Sequence, residues 1–247
     1  MKIILLGYGK MGKAIEKIAL ERKHSITARI DADNRDSLNI AFLQQADVII
    51  EFSTPETAVE NYRLCFAAQV PVVSGTTGWT AQQDTVSAAC IAADSGFFYA
   101  SNFSIGVFVF SKINTLLAKL MNKLPDYAVS VLETHHTQKV DAPSGTAITL
   151  TNQIIAELDR KTDWKSIELG KPDAEDLKKQ LQKTDIPIFA ARIDPAPGTH
   201  TINYDSRIDS ISLTHTAHSR EGFALGAVLA AEFMVGKKGV FGMNDLM

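Results

Sequence analysis

Residues 133–147 read E-T-H-H-T-Q-K-V-D-A-P-S-G-T-A, and the residue types gathered there could handle a proton and an anion together. Histidine titrates near neutral pH, so His135 or His136 can give up a proton in a reaction run there. On extended chain the two point to opposite sides, so only one can enter a given cleft in the same way. Lys139 is either a solvated surface charge or, beside a cleft, a binder of a carboxylate. Ser144, Gly145 and Thr146 open a helix just after Pro143. The unpaired amides of such a helix start serve a cap or a bound anion with the same donors. Asp141 suits a turn. A metal centre competes for the histidines, but it lacks a nearby cysteine or H-x-x-x-H partner, so no metal is expected.

A second constellation lies at the start of the sequence. Gly7-Tyr8-Gly9-Lys10-Met11-Gly12 fits G-x-G-x-x-G between a short apolar run and a helical pattern, the context that makes this motif a dinucleotide site. Gly7 permits the tight turn, Gly9 lets a pyrophosphate approach the backbone, and Gly12 lets helix and strand pack closely. Asp31 follows at the end of the next apolar run, where an acid binds ribose hydroxyls and favours NAD. Arg35, and Lys10 as well, could instead meet a 2′-phosphate, so NADH and NADPH both stay open. E-F-S-T-P at 51–55 and G-T-T-G at 75–78 follow later strands, at the sheet edge where ligands bind in such folds. Ser53 and Thr54 are equally readable as helix caps.

These groups need a frame. Apolar runs at 3–6, 25–30, 47–52, 70–74 and 97–100 alternate with helical patterns at 10–21, 55–68 and 80–93. That alternation predicts a parallel sheet covered on both faces. The pattern then changes to a long helix at 105–124, a strand at 127–133, and a helix at 146–159. Next comes a polar stretch at 160–185, expected to be a surface excursion with one short helix near 174–182. Strands at 188–192, 200–204 and 208–215 have no helix between them and are expected to be antiparallel. A closing helix at 220–235 is expected to return to the first domain. The fold class is α/β: a Rossmann-type doubly wound parallel sheet over 1–104 and 217–247, and an α+β substrate and oligomerisation domain over 105–216.

The bulk properties narrow the function. A formal charge of −3 with no basic run gives no footprint for nucleic acid. The apolar stretch 223–235 is too short to span a bilayer and Glu232 interrupts it, so no membrane association is expected. Cys65 and Cys90 lie far apart, and are read as buried free thiols of a reducing, cytoplasmic setting. No signal peptide is expected at the start of the sequence.

With these residues in view, the chain resembles the dihydrodipicolinate (4-hydroxy-tetrahydrodipicolinate) reductase family of the diaminopimelate route to lysine. G-Y-G-K-M-G, E-F-S-T-P, G-T-T-G, S-N-F-S-I-G-V, the histidine segment, R-I-D-P-A-P-G-T-H and L-T-H-T-A-H-S-R occur in family order. The resemblance implies a cytoplasmic homotetramer using NADH or NADPH on a cyclic dicarboxylate. It makes His135 similar to the general acid that protonates the carbon beside the hydride acceptor. Lys139 then resembles the helper of that acid and the binder of a substrate carboxylate. His136, Ser144, Gly145 and Thr146 match substrate-contacting positions. Phe52, Gly75, Thr77 and the stretch Ala100 to Phe103, with Asn102, match the nicotinamide surroundings. Glu51 stands where the family usually has Asp, and Asp194-Pro195 where it often has Gly-Asp.

Two other classes share part of this pattern. An aspartate or homoserine dehydrogenase would keep the glycine loop but lack H-H-T-Q-K joined to D-A-P-S-G-T. A non-enzymatic nicotinamide redox sensor would need no proton donor beside an anion turn.

Overall fold

A computed structural model describes residues 1–247, which form two compact units, Met1–Ile105 with Arg220–Met247 and Gly106–Ser219. The first unit is built from β1 (Lys2–Leu6), α1 (Lys10–Glu21), β2 (Ser25–Ile30), α2 (Ile40–Leu43), β3 (Val48–Glu51), α3 (Pro55–Ala67), β4 (Val72–Ser74), α4 (Gln83–Ala92) and β5 (Gly96–Tyr99). The second holds most of α5 (Ile105–Met121), then β6 (Ala128–His135), α6 (Gly145–Glu157), β7 (Asp163–Glu168), α7 (Ala174–Lys179), β8 (Asp185–Arg192), β9 (Thr199–Asp205) and β10 (Ser210–Thr216). The chain then returns to the first unit with α8 (Glu221–Met234), β11 (Gly239–Phe241) and α9 (Met243–Leu246).

The first unit's six strands are parallel throughout, in the order β11-β5-β4-β3-β1-β2. Their side chains alternate between two cores, as the two-residue strand period requires. Ile4, Leu6, Ile49, Val72 and Phe97 pack with Tyr62, Cys65 and Cys90 on one face. Ile3, Leu5, Val48, Ile50, Val73 and Phe98 pack with Ile15, Ile18 and the alanines of α8 on the other. The run of small residues in α8 has a steric cause: a Cβ at Gly226 would stand 1.8 Å from the Phe103 carbonyl oxygen. Glu232, the charge inside that apolar helix, takes two hydrogen bonds of 2.8 Å from Arg22 and one contact of 2.7 Å from His24. No helix is long and apolar enough to cross a membrane.

The chain runs from β1 to β2 on one side, then crosses to β3 on the other. The order therefore reverses at β1, and in open sheets of this kind the crevice beyond the carboxyl ends at that reversal is where ligands bind.

The second unit's sheet runs β10-β9-β6-β8-β7, with α5 and α6 contributing Phe110, Ala118, Met121, Leu150 and Ile154 to its core. Two expectations need correction. Residues 160–185 are not only a surface excursion, because Asp163–Glu168 is an edge strand paired in parallel with β8. Its charged, alternating composition hid it, and that composition suits an edge open to water. Residues 188–192 belong to a longer strand that runs opposite to β9, as expected, but does not pair with it: its neighbours are β6 and β7, and it is parallel to both. The helices α6 and α7 supply the crossovers that parallel pairing demands. The antiparallel pairs are β6 with β9 and β9 with β10.

Candidate active site

In the second unit, the alternation of β6 buries Val129, Val131, Glu133 and His135 on one face. The Glu133 carboxylate is fully buried and carries the local structure. One oxygen receives His135 Nδ1; the other receives the Arg192 guanidinium at 3.0 Å and the Ser144 amide at 3.2 Å. Burial by itself would raise this carboxyl, but the hydrogen bonds from His135 and Arg192 outweigh it and hold it below the usual carboxylate range. With Nδ1 engaged, His135 Nε2 faces Gly198, where a Cβ would come within 3.0 Å of it. The glycine therefore leaves room beside the one nitrogen free to exchange a proton.

A second imidazole, His200, lies 5.2 Å from His135 in an edge-on arrangement. Burial first, and then the neighbouring His135, push it down to about 4. A neutral His200 accepts the Ser144 hydroxyl at 2.9 Å, while Ser144 Oγ caps α6 by accepting the Ala147 amide at 3.2 Å. Two adjacent histidines thus have different environments: one against a carboxylate, the other dry and uncharged.

Arg192 also donates to the carbonyls of Lys139, at 3.2 Å, and Asp141, at 2.6 Å. The Lys139 ammonium meets the Asp141 carboxylate at 2.7 Å and 2.9 Å, which holds that carboxyl below its ordinary value. Asp194 receives the amide and hydroxyl of Thr137 at 3.1 and 2.6 Å, so the departure at Asp194-Pro195 fastens the turn between His136 and Lys139. His136 lies past the strand, and its Nδ1 is buried with no hydrogen-bond partner.

In the first unit, a cavity of 480 Å³ opens beyond β1 and β3, lined by Gly7, Gly9, Asp31, Arg35, Phe52 and Thr54 among others. The glycine loop fits a phosphate for three separate reasons. A Cβ on Gly7, whose φ is +90°, would collide with the Phe52 carbonyl at 2.1 Å. One on Gly12 would strike the Gly7 carbonyl at 2.4 Å. Gly9 has open space where a side chain would stand, and α1 begins there with neither a capping side chain nor an acid in its first turn. Its amides are thus presented to an anion. Lys10 and Met11 occupy that first turn, Lys10 exposed and Met11 partly packed in the core.

Asp31 caps the short 3₁₀ turn after β2 by accepting the Ala32 amide at 3.0 Å. Arg35 is braced against Asn61 at 2.7 Å and Glu60 at 2.6 Å. Phe52 lies between Gly75, where any Cβ would meet its ring at 2.2 Å, and Phe103, whose ring is 5.5 Å away. Ala100 extends the β4–β5 ladder by donating its amide to Ser74 at 3.2 Å, and Asn102 accepts the Ser104 amide at 2.9 Å. Thr77 is exposed in the loop after β4. The Glu51 carboxylate, at the end of β3, is fully buried and takes Ser74 Oγ at 2.7 Å and the Ser53 amide at 3.1 Å. Ser53 is thereby committed to the loop, and Thr54, the residue before α3, makes no side-chain cap.

Two family models cover the chain, the dihydrodipicolinate reductase N-terminus at residues 1–103 and the C-terminus at residues 106–247. The chain belongs to the dihydrodipicolinate reductase family. It is 46% identical to the 4-hydroxy-tetrahydrodipicolinate reductase of Christiangramia forsetii, over 100% of this chain and 98% of that protein. It is 32% identical to the enzyme of that name from Lawsonia intracellularis, over 100% and 99%. Among solved structures, a dipicolinate-bound dihydrodipicolinate reductase from Paenisporosarcina sp. TG-14 shares the fold with a TM-score of 0.79 at 23% identity, covering 100% of this chain and 99% of that one. Membership makes this chain an oxidoreductase that depends on a pyridine nucleotide.

Sequence reasoning passed over four residues at this reductase's histidine site: Glu133, Arg192, Gly198 and His200. Glu133 had a readable signal, since two residues before His135 on a strand means the same face. Arg192 and His200 are opposite His135 and Glu133 only through the sheet register. No local spacing encodes that. Ser144 differs from expectation in one respect: its amide and hydroxyl are both engaged inside the protein.

The neutral His200 has a consequence for stability. Unfolded, it takes up a proton near 6.5; folded, only near 4. The unfolded state therefore binds the extra proton between those values, and stability drops as pH falls from about 6.5 toward 4, by up to about 3 kcal/mol. Urea melts at pH 7 and pH 5 should show this loss in the native protein and a flatter dependence in His200→Gln. Equal losses in both proteins would exclude His200 as its source.

Proposed function

We propose that this chain reduces 4-hydroxy-tetrahydrodipicolinate to tetrahydrodipicolinate with loss of water, in the diaminopimelate route to lysine. The observation that carries the reading is His135, held by Glu133 with Nε2 toward the gap at Gly198, on the unit that also carries Lys139 and the start of α6. Loss of the C4 hydroxyl and a C3 hydrogen as water gives a conjugated imine, to whose C4 a bound reduced nicotinamide would supply a hydride. His135 Nε2–H gives its proton to the adjacent ring carbon, so one hydride and one proton are consumed per turnover. Lys139 assists that acid and binds one substrate carboxylate. The amides of Gly145 and Thr146, the first two residues of α6, face the other, with His136 alongside. Ser144 holds that turn in place from within.

Gly7, Gly9, Lys10, Met11 and Gly12 would hold the nucleotide's pyrophosphate at the first turn of α1. Phe52, Gly75, Thr77, Ala100, Asn102 and Phe103 would line the place of the nicotinamide. Asp31 and Arg35 line one cavity, the acid suited to the ribose hydroxyls of NADH and the guanidinium to the 2′-phosphate of NADPH, and we take either nucleotide as the cofactor. The protein works in the cytoplasm as a homotetramer. The apolar stripe of α5 formed by Val109, Ile113, Leu116 and Leu120 is 41–59% exposed and lies at helical spacing. We assign it to contacts between copies. Light scattering should give about four times the chain mass, and Leu116→Lys with Leu120→Lys should lower it; a single-chain mass for the native protein refutes the assembly.

The direct test feeds dihydrodipicolinate synthase with pyruvate and aspartate semialdehyde and follows oxidation of each nucleotide separately. Native protein should oxidise both only when the synthase is present. His135→Gln should lower kcat by roughly a hundredfold with the nucleotide KM unchanged. Full activity in that variant removes His135 from the role of acid.

Lys139 also makes a prediction through its resident partner. Asp141 competes with any incoming carboxylate, so Asp141→Asn should lower the KM for the dicarboxylate. An exposed pair is worth up to about 1 kcal/mol, which limits the gain to about fivefold. A raised KM would mean that Asp141 helps to present Lys139 rather than occupying it.

A further inference from the structure

A carboxylate removed from water costs far more than one hydrogen bond returns unless it is paired, so its partners explain its place. Glu133 is 0% exposed, in the middle strand of its sheet, between Ala190 on β8 and His200 on β9. Its three donors come from three places: His135 on its own strand, Arg192 at the end of β8, and the Ser144 amide at the start of α6. Arg192 in turn holds the carbonyls of Lys139 and Asp141. The network therefore ties together His135, the chain at Lys139 and the start of α6.

We propose that Glu133, backed by Arg192, is the positioning residue for His135: it fixes the Nδ1–H tautomer and aims Nε2 at the gap left by Gly198. The inference rests on the reading of His135 as the acid. In the charged ring both nitrogens carry hydrogen. When Nε2–H breaks, that proton forms the new C–H bond on the substrate, its electron pair stays on Nε2, and Nδ1–H remains with Glu133. Water then restores the proton at Nε2. Without the carboxylate, the ring could rotate or keep its hydrogen on Nε2, and the acid would be misdirected without leaving the site. His200 cannot substitute for the carboxylate, because its Nε2 is engaged by Ser144. The titratable groups against His135 are Glu133 and His200, with Arg192 on the other oxygen of Glu133; Lys139 is paired with Asp141.

Two measurements test this. In native protein labelled with ¹⁵N-histidine, His135, assigned by its loss in His135→Gln, should show hydrogen on Nδ1 when neutral, with a far-downfield proton from the carboxylate contact. In kinetics, Glu133→Gln should lower kcat roughly ten- to a hundredfold with the nucleotide KM unchanged. Glu133→Gln combined with His135→Gln should be no slower than His135→Gln alone, since a residue acting through another adds nothing once that other is gone. A neutral His135 with hydrogen on Nε2, or losses that multiply in the double variant, overturns the proposal. If Glu133→Gln does not fold, the tautomer in native protein decides by itself. Unchanged kcat in His135→Gln instead defeats the underlying assignment of the acid, which separates the two failures.

Discussion

The second unit is organised around one buried negative charge. Glu133 is shielded from water on all sides, and its cost is offset only because a cation, an imidazole and a helix-start amide converge on it. Those three groups lie on β8, β6 and α6, so the strand order β9-β6-β8 and the approach of α6 are both conditions of the pairing. Had β8 run antiparallel to β6, Arg192 would not end opposite His135. Parallel pairing puts the carboxyl ends of β6 and β8 side by side, and the loops leaving those ends carry Lys139 and Asp194.

The first unit repeats the device with different chemistry. Glu51, also fully buried, ends β3 and binds Ser53, Ser74 and Asn61, which ties the loop after β3 to β4 and α3. No cation meets it directly. Its donors are hydroxyls and amides, and Asn61 passes on to Arg35. The longer glutamate in place of the family's usual aspartate reaches both the Ser53 amide and the Ser74 hydroxyl. The substitution leaves the loop fastened and Phe52 pressed against Gly75.

Much of this was legible in the sequence, and what was not has a common cause. The glycine loop could be read because its pattern is local: the positive φ at Gly7 and the close packing of Gly12 on the Gly7 carbonyl fall within one short stretch of chain. The start of α6 could be read from Pro143 and Ser144 for the same reason. The edge strand Asp163–Glu168 was hidden by charge, since exposure on an edge removes the apolar alternation that marks a strand. The short β11, with three residues and no fully buried one, carries even less signal. Arg192 and His200 stand 57 and 65 residues from His135 in number, and only the sheet register joins them. Constraints set by neighbours along the chain are legible in a sequence; those set by which residues face one another across strands are not.

The charges of the histidine site divide into permanent and exchangeable pairs, and burial decides which is which. Arg192 is bound to a carboxylate with 0% of its side chain exposed, so nothing from solvent can displace it without stranding a buried charge. Lys139 is bound to a carboxylate whose side chain is 61% exposed, a pair that water and salt already weaken. An incoming dianion can therefore take Lys139 from Asp141 at little cost, while Arg192 stays with Glu133. One cation holds the shape of the site and the other remains available to a ligand, although Arg192 donates to the carbonyl of Lys139 itself. Exchanging the two roles would require burying Asp141 and exposing Glu133, and moving Glu133 out would break the contact that keeps Nδ1 of His135 occupied.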